Sequence, residues 1–328
     1  MRSFREPARF CSLPRFCGLH KTGVSAFKRS AMLGSQGGKR LGRFAMEKVT
    51  GMDGVRVATL NLWGRSGAWA ERRSVLVDGF RELRPDLVAF QEPIKTDDGY
   101  DQVIDLLGPD FHVAHHNAGL VGDGDHHGAS IASRWPLADV QEVDLNVTPR
   151  TADFPCTTLV AEILAPEPVR PLLFVNHLPS YQLDFEYERE LQAVAAARFV
   201  EELVDGRRMH VVVAGDFDAD PDAASVRFWC GRQSLGGMSV CYRDAWESTH
   251  PGDPGHTYTP HNPLMATPDW PFRRIDYILV RCADYGPTLE ISACARMFDE
   301  PVDGVWASDH FGVIADLVVP PRSPAVSS

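Results

Sequence analysis

Six apolar runs of strand character in this chain end or begin on residues able to carry a proton or hold a metal. Asn61 follows Val57-Ala58-Thr59-Leu60, and Glu92 follows Leu87-Val88-Ala89-Phe90-Gln91. His177 follows Leu172-Leu173-Phe174-Val175-Asn176, and Asp216 follows Val211-Val212-Val213-Ala214-Gly215. Asp276 interrupts the run from Arg274 to Leu279, and Asp309-His310 opens the last run, Phe311 to Val319. One acid after a strand is ordinarily a turn residue or a helix cap. Six polar stops have a common cause if the strands share a sheet edge, because strand ends on one edge converge on one cleft.

The runs alternate with amphipathic segments. Periodicity predicts strands at 55–60, 85–90, 128–133, 157–164, 172–175, 210–214, 275–280 and 311–319, with helices over 71–83 and 185–204. No internal repeat or low-complexity linker divides residues 51–320, which read as one mixed α/β domain. Residues 1–50 lack strand alternation, a sustained helical stripe and the apolar core of a secretory signal. They read as a basic, disordered leader: an over-extended start or tail in preference to a transit peptide or a nucleic-acid-binding arm. Residues 321–328 read as a short disordered tail.

Charge narrows the partners. The chain carries 33 Lys and Arg against 44 Asp and Glu, but residues 1–45 hold ten basic residues and one acid. The remainder has 23 basic and 43 acidic residues, a net of −20. A body of that sign repels an extended polyanion, so DNA or RNA is the less favoured partner. No window approaches the apolar length of a membrane-spanning helix. Seven cysteines, two of them (Cys11 and Cys17) in the leader, fit reduced thiols in a cytoplasmic protein better than a disulfide framework; Cys230 and Cys241 are spaced to close a small loop only if the chain were exported. A monomer is expected.

The cleft's composition is chemically specific. Carboxylates with a carboxamide and no thiolate make an oxygen-donor site suited to Mg²⁺ or Mn²⁺. Two histidines add acid and base capacity. A hard divalent cation, a base and a spare donor are the parts needed to attack a phosphate ester with water.

Asn61-Leu62-Trp63, Gln91-Glu92, Asn176-His177-Leu178, Gly215-Asp216-Phe217, Arg274-Ile275-Asp276-Tyr277 and Ser308-Asp309-His310 resemble, in order and spacing, the motifs of the endonuclease/exonuclease/phosphatase superfamily of deoxyribonuclease-I-like, metal-dependent phosphohydrolases. Gly128 to Pro136, with its Ser133-Arg134-Trp135-Pro136 ending, resembles another strand of that family. The resemblance runs from about Val55 to Val319. It implies a four-layered α/β sandwich, two packed mixed β-sheets flanked by helices, with a Mg²⁺-dependent site at one edge. It also implies roles. Glu92 is the principal metal ligand, Asn61 holds it or the metal's water shell, and Asp309 completes the metal environment. His310 is the general base, with Asp276 accepting its other ring N–H and raising its pKa. His177 donates to a non-bridging oxygen or the leaving group, and Asp216 orients the nucleophile.

One position departs from the pattern. The family usually has Gly-Asp-x-Asn, and this chain has Gly215-Asp216-Phe217-Asp218. An Asn amide donates a hydrogen bond, whereas an ionised Asp only accepts. Asp218 therefore ligates a metal, is protonated beside Asp216, or impairs turnover.

Substrate choice falls to loops. Residues 257–272 form a long connection containing Tyr258, His261, Asn262, Leu264, Met265, Trp270 and Phe272. Lys95, three residues after Glu92, and Arg134 are candidate phosphate contacts, with Arg150 a further one, and His127 either lines the cleft or belongs to a solvated loop. The histidines at 112, 115, 116, 126 and 127 have no accompanying Cys pair or His-Glu-x-x-His pattern, so zinc is disfavoured. No Gly-x-Ser-x-Gly elbow supports serine hydrolysis. The expected function is Mg²⁺-dependent hydrolysis, most simply of a small phosphodiester, a phosphorylated metabolite or a phospholipid headgroup. Its alternatives are a metal-dependent nuclease and a catalytically silent phosphoester-binding module.

Overall fold

The structure, a computed structural model, describes residues 54–116, 128–152 and 154–320. The expected leader and tail, and His126 and His127, lie outside the described residues. In chain order the first strands are β1 (Gly54–Asn61), β2 (Leu87–Gln91), β3 (His112–His115), β4 (Ala129–Ser133), β5 (Leu137–Asp144), β6 (Thr157–Ile163) and β7 (Leu172–Leu178). They continue as β8 (His210–Asp216), β9 (Tyr242–Asp244), β10 (Asp276–Ala283), β11 (Gly286–Pro287), β12 (Glu290–Met297) and β13 (Gly312–Val318). The α-helices are α1 (Trp69–Leu83), α2 (Gln102–Leu107), α3 (Glu186–Val204), α4 (Ala224–Trp229) and α5 (Ala245–Thr249).

The strands form two mixed sheets. One has the order β12-β13-β1-β2-β4-β3, the other β11-β10-β8-β7-β6-β5, with β9 pairing β10 off that path. The β1–β2 and β7–β8 pairs are parallel, and α1 and α3 are the crossovers that such connections require.

The pleat sorts each strand's residues into two cores. Val55 and Val57 of β1, Phe174 of β7, Val212 and Ala214 of β8 and Ile278 of β10 meet between the sheets. Ala58 and Leu60 of β1 face outward to Leu76, Phe80 and Leu83 of α1. Val175 of β7 and Val213 of β8 face outward to Ala193, Ala197 and Val200 of α3. Small alanines on α3 let the helix lie close against the strands. The result is helix, sheet, sheet, helix, the four layers expected from the motifs. No helix among the described residues is long and apolar enough to cross a membrane.

Candidate active site

The strands run further than their apolar stretches. Asn61 and Asp216 close β1 and β8, and Asp276 opens β10, so these polar residues sit inside the ladders. Asp216 is the cross-strand partner of Asp276, and Asn61 that of Gln91. By pleat parity Asn61 shares a face with Val57, Asp216 with Ala214 and Asp276 with Ile278, so all three point between the sheets at one edge. Two devices shape that edge. Glu92, one step past β2, takes a left-handed φ of 55°, which turns it off the strand; strained non-glycine backbone of this kind gathers at working sites. Gly215 lies opposite His177 in the parallel β7–β8 pair, where a Cβ would stand 2.1 Å from the His177 carbonyl oxygen. Only glycine permits that approach.

A hydrogen-bonded network joins the motif residues. The Asn61 amide donates to Glu92 Oε1 at 3.0 Å and to Asp216 Oδ2 at 3.1 Å, while its own Oδ1 accepts from the Trp63 N–H at 2.9 Å. His310 Nδ1 lies 3.1 Å from Asp276 Oδ2 and 3.8 Å from Asp216 Oδ2. Nε2 of His310 has no hydrogen-bond partner among the described residues, and Tyr258 tilts over the ring at 4.9 Å. Ser308 ties Asp309 to β1, donating to the Asn61 carbonyl at 2.7 Å and lying 3.2 Å from Asp309 Oδ1.

The electrostatics follow from burial and crowding. Burial is the largest influence on Asp216 and raises its pKa well above the usual carboxylate value, and the neighbouring Asp218 and Asp276 add to it. Burial also raises Asp218, against the pull of Arg273 and His310. Asp309 is pushed up to about 6 by burial and by the Glu92 charge, with His310 opposing. Burial alone lowers His310, but Asp276 and Asp216 outweigh it and hold the imidazole well above its ordinary pKa.

The structure does not assemble every expected residue. His177 faces the other side of β7, with Val175: Thr158 Oγ1 lies 2.8 Å from its Nδ1 and its ring packs on Phe217 and Trp229 at 4.9 and 5.7 Å. Burial lowers its pKa to about 3, so it is neutral, and it makes no hydrogen bond to the acids. Arg134 is a correction. Its strand is antiparallel to β2, with Ser133 opposite Leu87, which puts Arg134 at the far end of the sheet from Glu92. There it donates to the Pro85 carbonyl at 3.0 Å and stacks over Phe111. Arg150 also serves structure, pairing with Asp184 and Glu188 and stacking over Phe185. Lys95 is exposed on the loop after Glu92. Trp270 is 63% exposed on the loop that leads to Arg273, whose guanidinium donates to the Asp218 carbonyl at 2.7 Å.

Several supporting roles escaped the sequence reading. Arg72 of α1 is buried, and its guanidinium donates to the carbonyls of Leu62, Ser66 at 2.6 Å and Ala307 at 2.9 Å. It thereby clamps the loop after Asn61 to the loop before Asp309; burial lowers its pKa to about 10 against the pull of Asp309. Asn262 donates to the carbonyls of Ser308 and Asp309 at 2.7 and 3.1 Å. Thr257 Oγ1 accepts from the Ile275 and Asp276 N–H groups. Between the sheets the Gln91 amide donates to Asn176 Oδ1 at 2.7 Å, joining the two layers just beneath the acids. A buried Arg on an otherwise apolar helical stripe was the one signal available for Arg72.

The donor set fits a hard divalent cation. Glu92, Asp309 and Asp216 offer carboxylate oxygens, the Asn61 NH₂ braces Glu92 and Asp216, and Asp276 Oδ1 is buried with no hydrogen-bond partner. Asp216, Asp276 and His310 also lie close enough together to share an ion. In that trio His310 Nδ1 already engages Asp276, and Asp216 Oδ2 accepts from the Asn61 amide that also donates to Glu92.

Comparison with known proteins places this arrangement. The model of the Endonuclease/Exonuclease/phosphatase family matches residues 58–310. No curated protein matches in sequence. Among solved structures, truncated Caenorhabditis elegans TDP2 superposes with a TM-score of 0.63 at 16% identity, covering 81% of this chain and 98% of that one. The human Nocturnin catalytic domain with bound sulfate anion gives 0.62 at 16% identity, covering 81% and 95%. D. rerio TDP2 complexed with a single-strand DNA product gives 0.60 at 20% identity, covering 80% and 98%. At these identities the likeness is one of fold.

Proposed function

This chain belongs to the endonuclease/exonuclease/phosphatase family of metal-dependent phosphoester hydrolases, and from that premise we propose that it hydrolyses a phosphodiester by Mg²⁺- or Mn²⁺-assisted attack of water on phosphorus. The observation that carries the reading is the His310–Asp276 pair at 3.1 Å, with Nε2 left open beside an all-oxygen ligand set. His310 takes the water's proton at Nε2, while Asp276 holds the Nδ1–H and stabilises the imidazolium that forms. Glu92 and Asp309 would hold the cation, with the Asn61 amide bracing Glu92. A cation held there would supply Lewis acidity to water and phosphate and would offset the acids that push His310 up. Asp216 orients the nucleophile. Asp218, whose pKa burial raises against the pull of Arg273 at 3.8 Å, stands where the family pattern has an Asn amide, and only its protonated form would give an O–H to a phosphoryl oxygen. His177 has no step in this scheme; neutral and hydrogen-bonded to Thr158, it packs beneath the β8 turn.

The substrate we favour is a small phosphodiester or a phospholipid headgroup, because the body beyond the leader carries a net −20. A second reading is the end of a single strand of nucleic acid. It is supported by the single-strand DNA product bound to D. rerio TDP2, and by exposed Trp270 and Phe272, which offer faces on which bases stack. The test is turnover on bis-p-nitrophenyl phosphate, sphingomyelin, inositol phosphates, single-stranded oligonucleotide and plasmid DNA, each with Mg²⁺, with Mn²⁺ and with chelator. Metal-dependent release from the small diesters or lipid supports the first reading, and turnover restricted to oligonucleotide supports the second. Binding without turnover on the whole panel returns the silent module.

A further inference from the structure

The pairing of β9 with β10 changes which cysteines are neighbours. Cys230 and Cys241 are near in sequence, and the Cys241 Sγ packs against Gly231, next to Cys230. The Cys241 side chain also meets Cys282, its cross-strand neighbour. The antiparallel register sets Tyr242 opposite Arg281, and one step on the Cys282 N–H donates to the Cys241 carbonyl at 2.9 Å. Residues directly opposite in such a ladder point to the same face, with Cα atoms about 4.5 to 5.5 Å apart. That spacing lies inside the range of about 4.4 to 6.8 Å that a disulfide accepts. Burial, and after it the interaction with the Cys241 thiol, raises Cys282 to about 11. Arg243, beside them, favours the thiolate. Cys241 is exposed, Cys282 is half-buried, and both line an open cleft of about 590 Å³ with Met238, Ser239 and Glu201.

We propose that Cys241 and Cys282 are an oxidisable dithiol, a modification site that takes a small-molecule disulfide as its oxidant. The Cys241 thiolate attacks one sulfur of the small disulfide, which breaks and releases one small thiol after protonation. Cys282 then loses its proton and attacks Cys241 Sγ in the mixed disulfide, releasing the second small thiol. Two protein thiols are oxidised to one cross-strand disulfide, and one small disulfide is reduced to two thiols. Cys282, half-buried where Cys241 is exposed, acts second, and its position opposite Cys241 makes that second step intramolecular. The bond would lock β9 to β10 at the end of β10 remote from Asp276, six residues of strand and roughly 20 Å away, so turnover is expected to persist after oxidation.

The test is to incubate the full-length protein with oxidised glutathione, alkylate the remaining thiols and map tryptic peptides, using fragmentation to separate Cys282 from Cys294 on the same peptide. The expected result is a peptide cross-linked from Cys241 to Cys282, lost in Cys241→Ser and in Cys282→Ser, retained in Cys230→Ser, and accompanied by a higher Tm in the oxidised protein. A glutathione adduct that persists on Cys241 while Cys282 is still alkylated would overturn the proposal. So would a bond from Cys241 to Cys230.

Discussion

At the scale of single residues the site is a place where charges are held at a cost to the fold. Asp309, pushed up to about 6, keeps its proton in the folded protein over a range where the unfolded chain has lost it. The folded state therefore binds more protons between about pH 4 and 6, and the stability from this group falls as pH rises through that window. His310, raised well above its ordinary value, acts in the same direction: its contribution is complete below about 6.5 and is lost as pH rises through its folded pKa. Metal-free protein should accordingly gain thermal stability at pH 7 from Asp309→Asn, and the same variant should lose the Tm rise that Mn²⁺ gives the wild type. An unchanged metal-induced rise would move Asp309 out of the ligand set. With Asp309 in the proposed ligand set, a cation would displace its proton, and affinity should fall by up to about tenfold per pH unit below 6, measurable by titration calorimetry at pH 5 and pH 7. If Asp218 works as a protonated donor, Asp218→Asn should leave turnover within a few fold at neutral pH, since the amide also donates; a loss on the order of a hundredfold would make Asp218 a ligand instead. His177 was legible as a motif residue, but its facing was not: the pleat carries Asn176, one residue earlier, to the inter-sheet face and sends the imidazole to the other.

At the scale of elements, the strands that carry the site were legible because they are buried on both faces and read as continuous apolar runs. β1, β2, β7 and β8 are of this kind, and their predicted starts and ends lie within a few residues of the observed ones. The strands missed, β3, β5, β9, β11 and β12, are short or lie at sheet edges with half-exposed faces, where no apolar run marks them. The loops that hold the strand ends together were also invisible, because their work is done by backbone carbonyls. Arg72 is the test of that arrangement. Arg72→Met removes the donors to Leu62, Ser66 and Ala307 while keeping much of the apolar stem, and should weaken Mn²⁺ affinity about tenfold or more with the circular dichroism spectrum unchanged. Wild-type affinity in a folded Arg72→Met protein would show that the clamp does not position the ligands. Gly215→Ala places a methyl 2.1 Å from the His177 carbonyl and should cost about 3 kcal/mol or more in urea unfolding, or prevent folding outright.

At the scale of the whole molecule, two sheets packed face to face bring strands from distant parts of the chain to one edge, and the acids, the amide and the base meet only there. That convergence is why six weak sequence signals acquire a single meaning, and why the number of metals and the choice of substrate do not appear in them: those depend on loop conformation. The acidic body makes a prediction about substrate. Hydrolysis of a small diester should change little between 50 and 200 mM salt, whereas binding to a nucleic acid through several phosphates would weaken by roughly a hundredfold or more. The central claim is that His310, aligned by Asp276, is the base in metal-dependent phosphodiester hydrolysis. Its most direct test is the rate of bis-p-nitrophenyl phosphate hydrolysis in saturating Mn²⁺ by wild type and by His310→Ala, with metal binding measured on both. The account predicts wild-type turnover abolished by chelator, and a fall of about 10² to 10⁴ in the variant with metal still bound. Equal turnover in wild type and His310→Ala would contradict it.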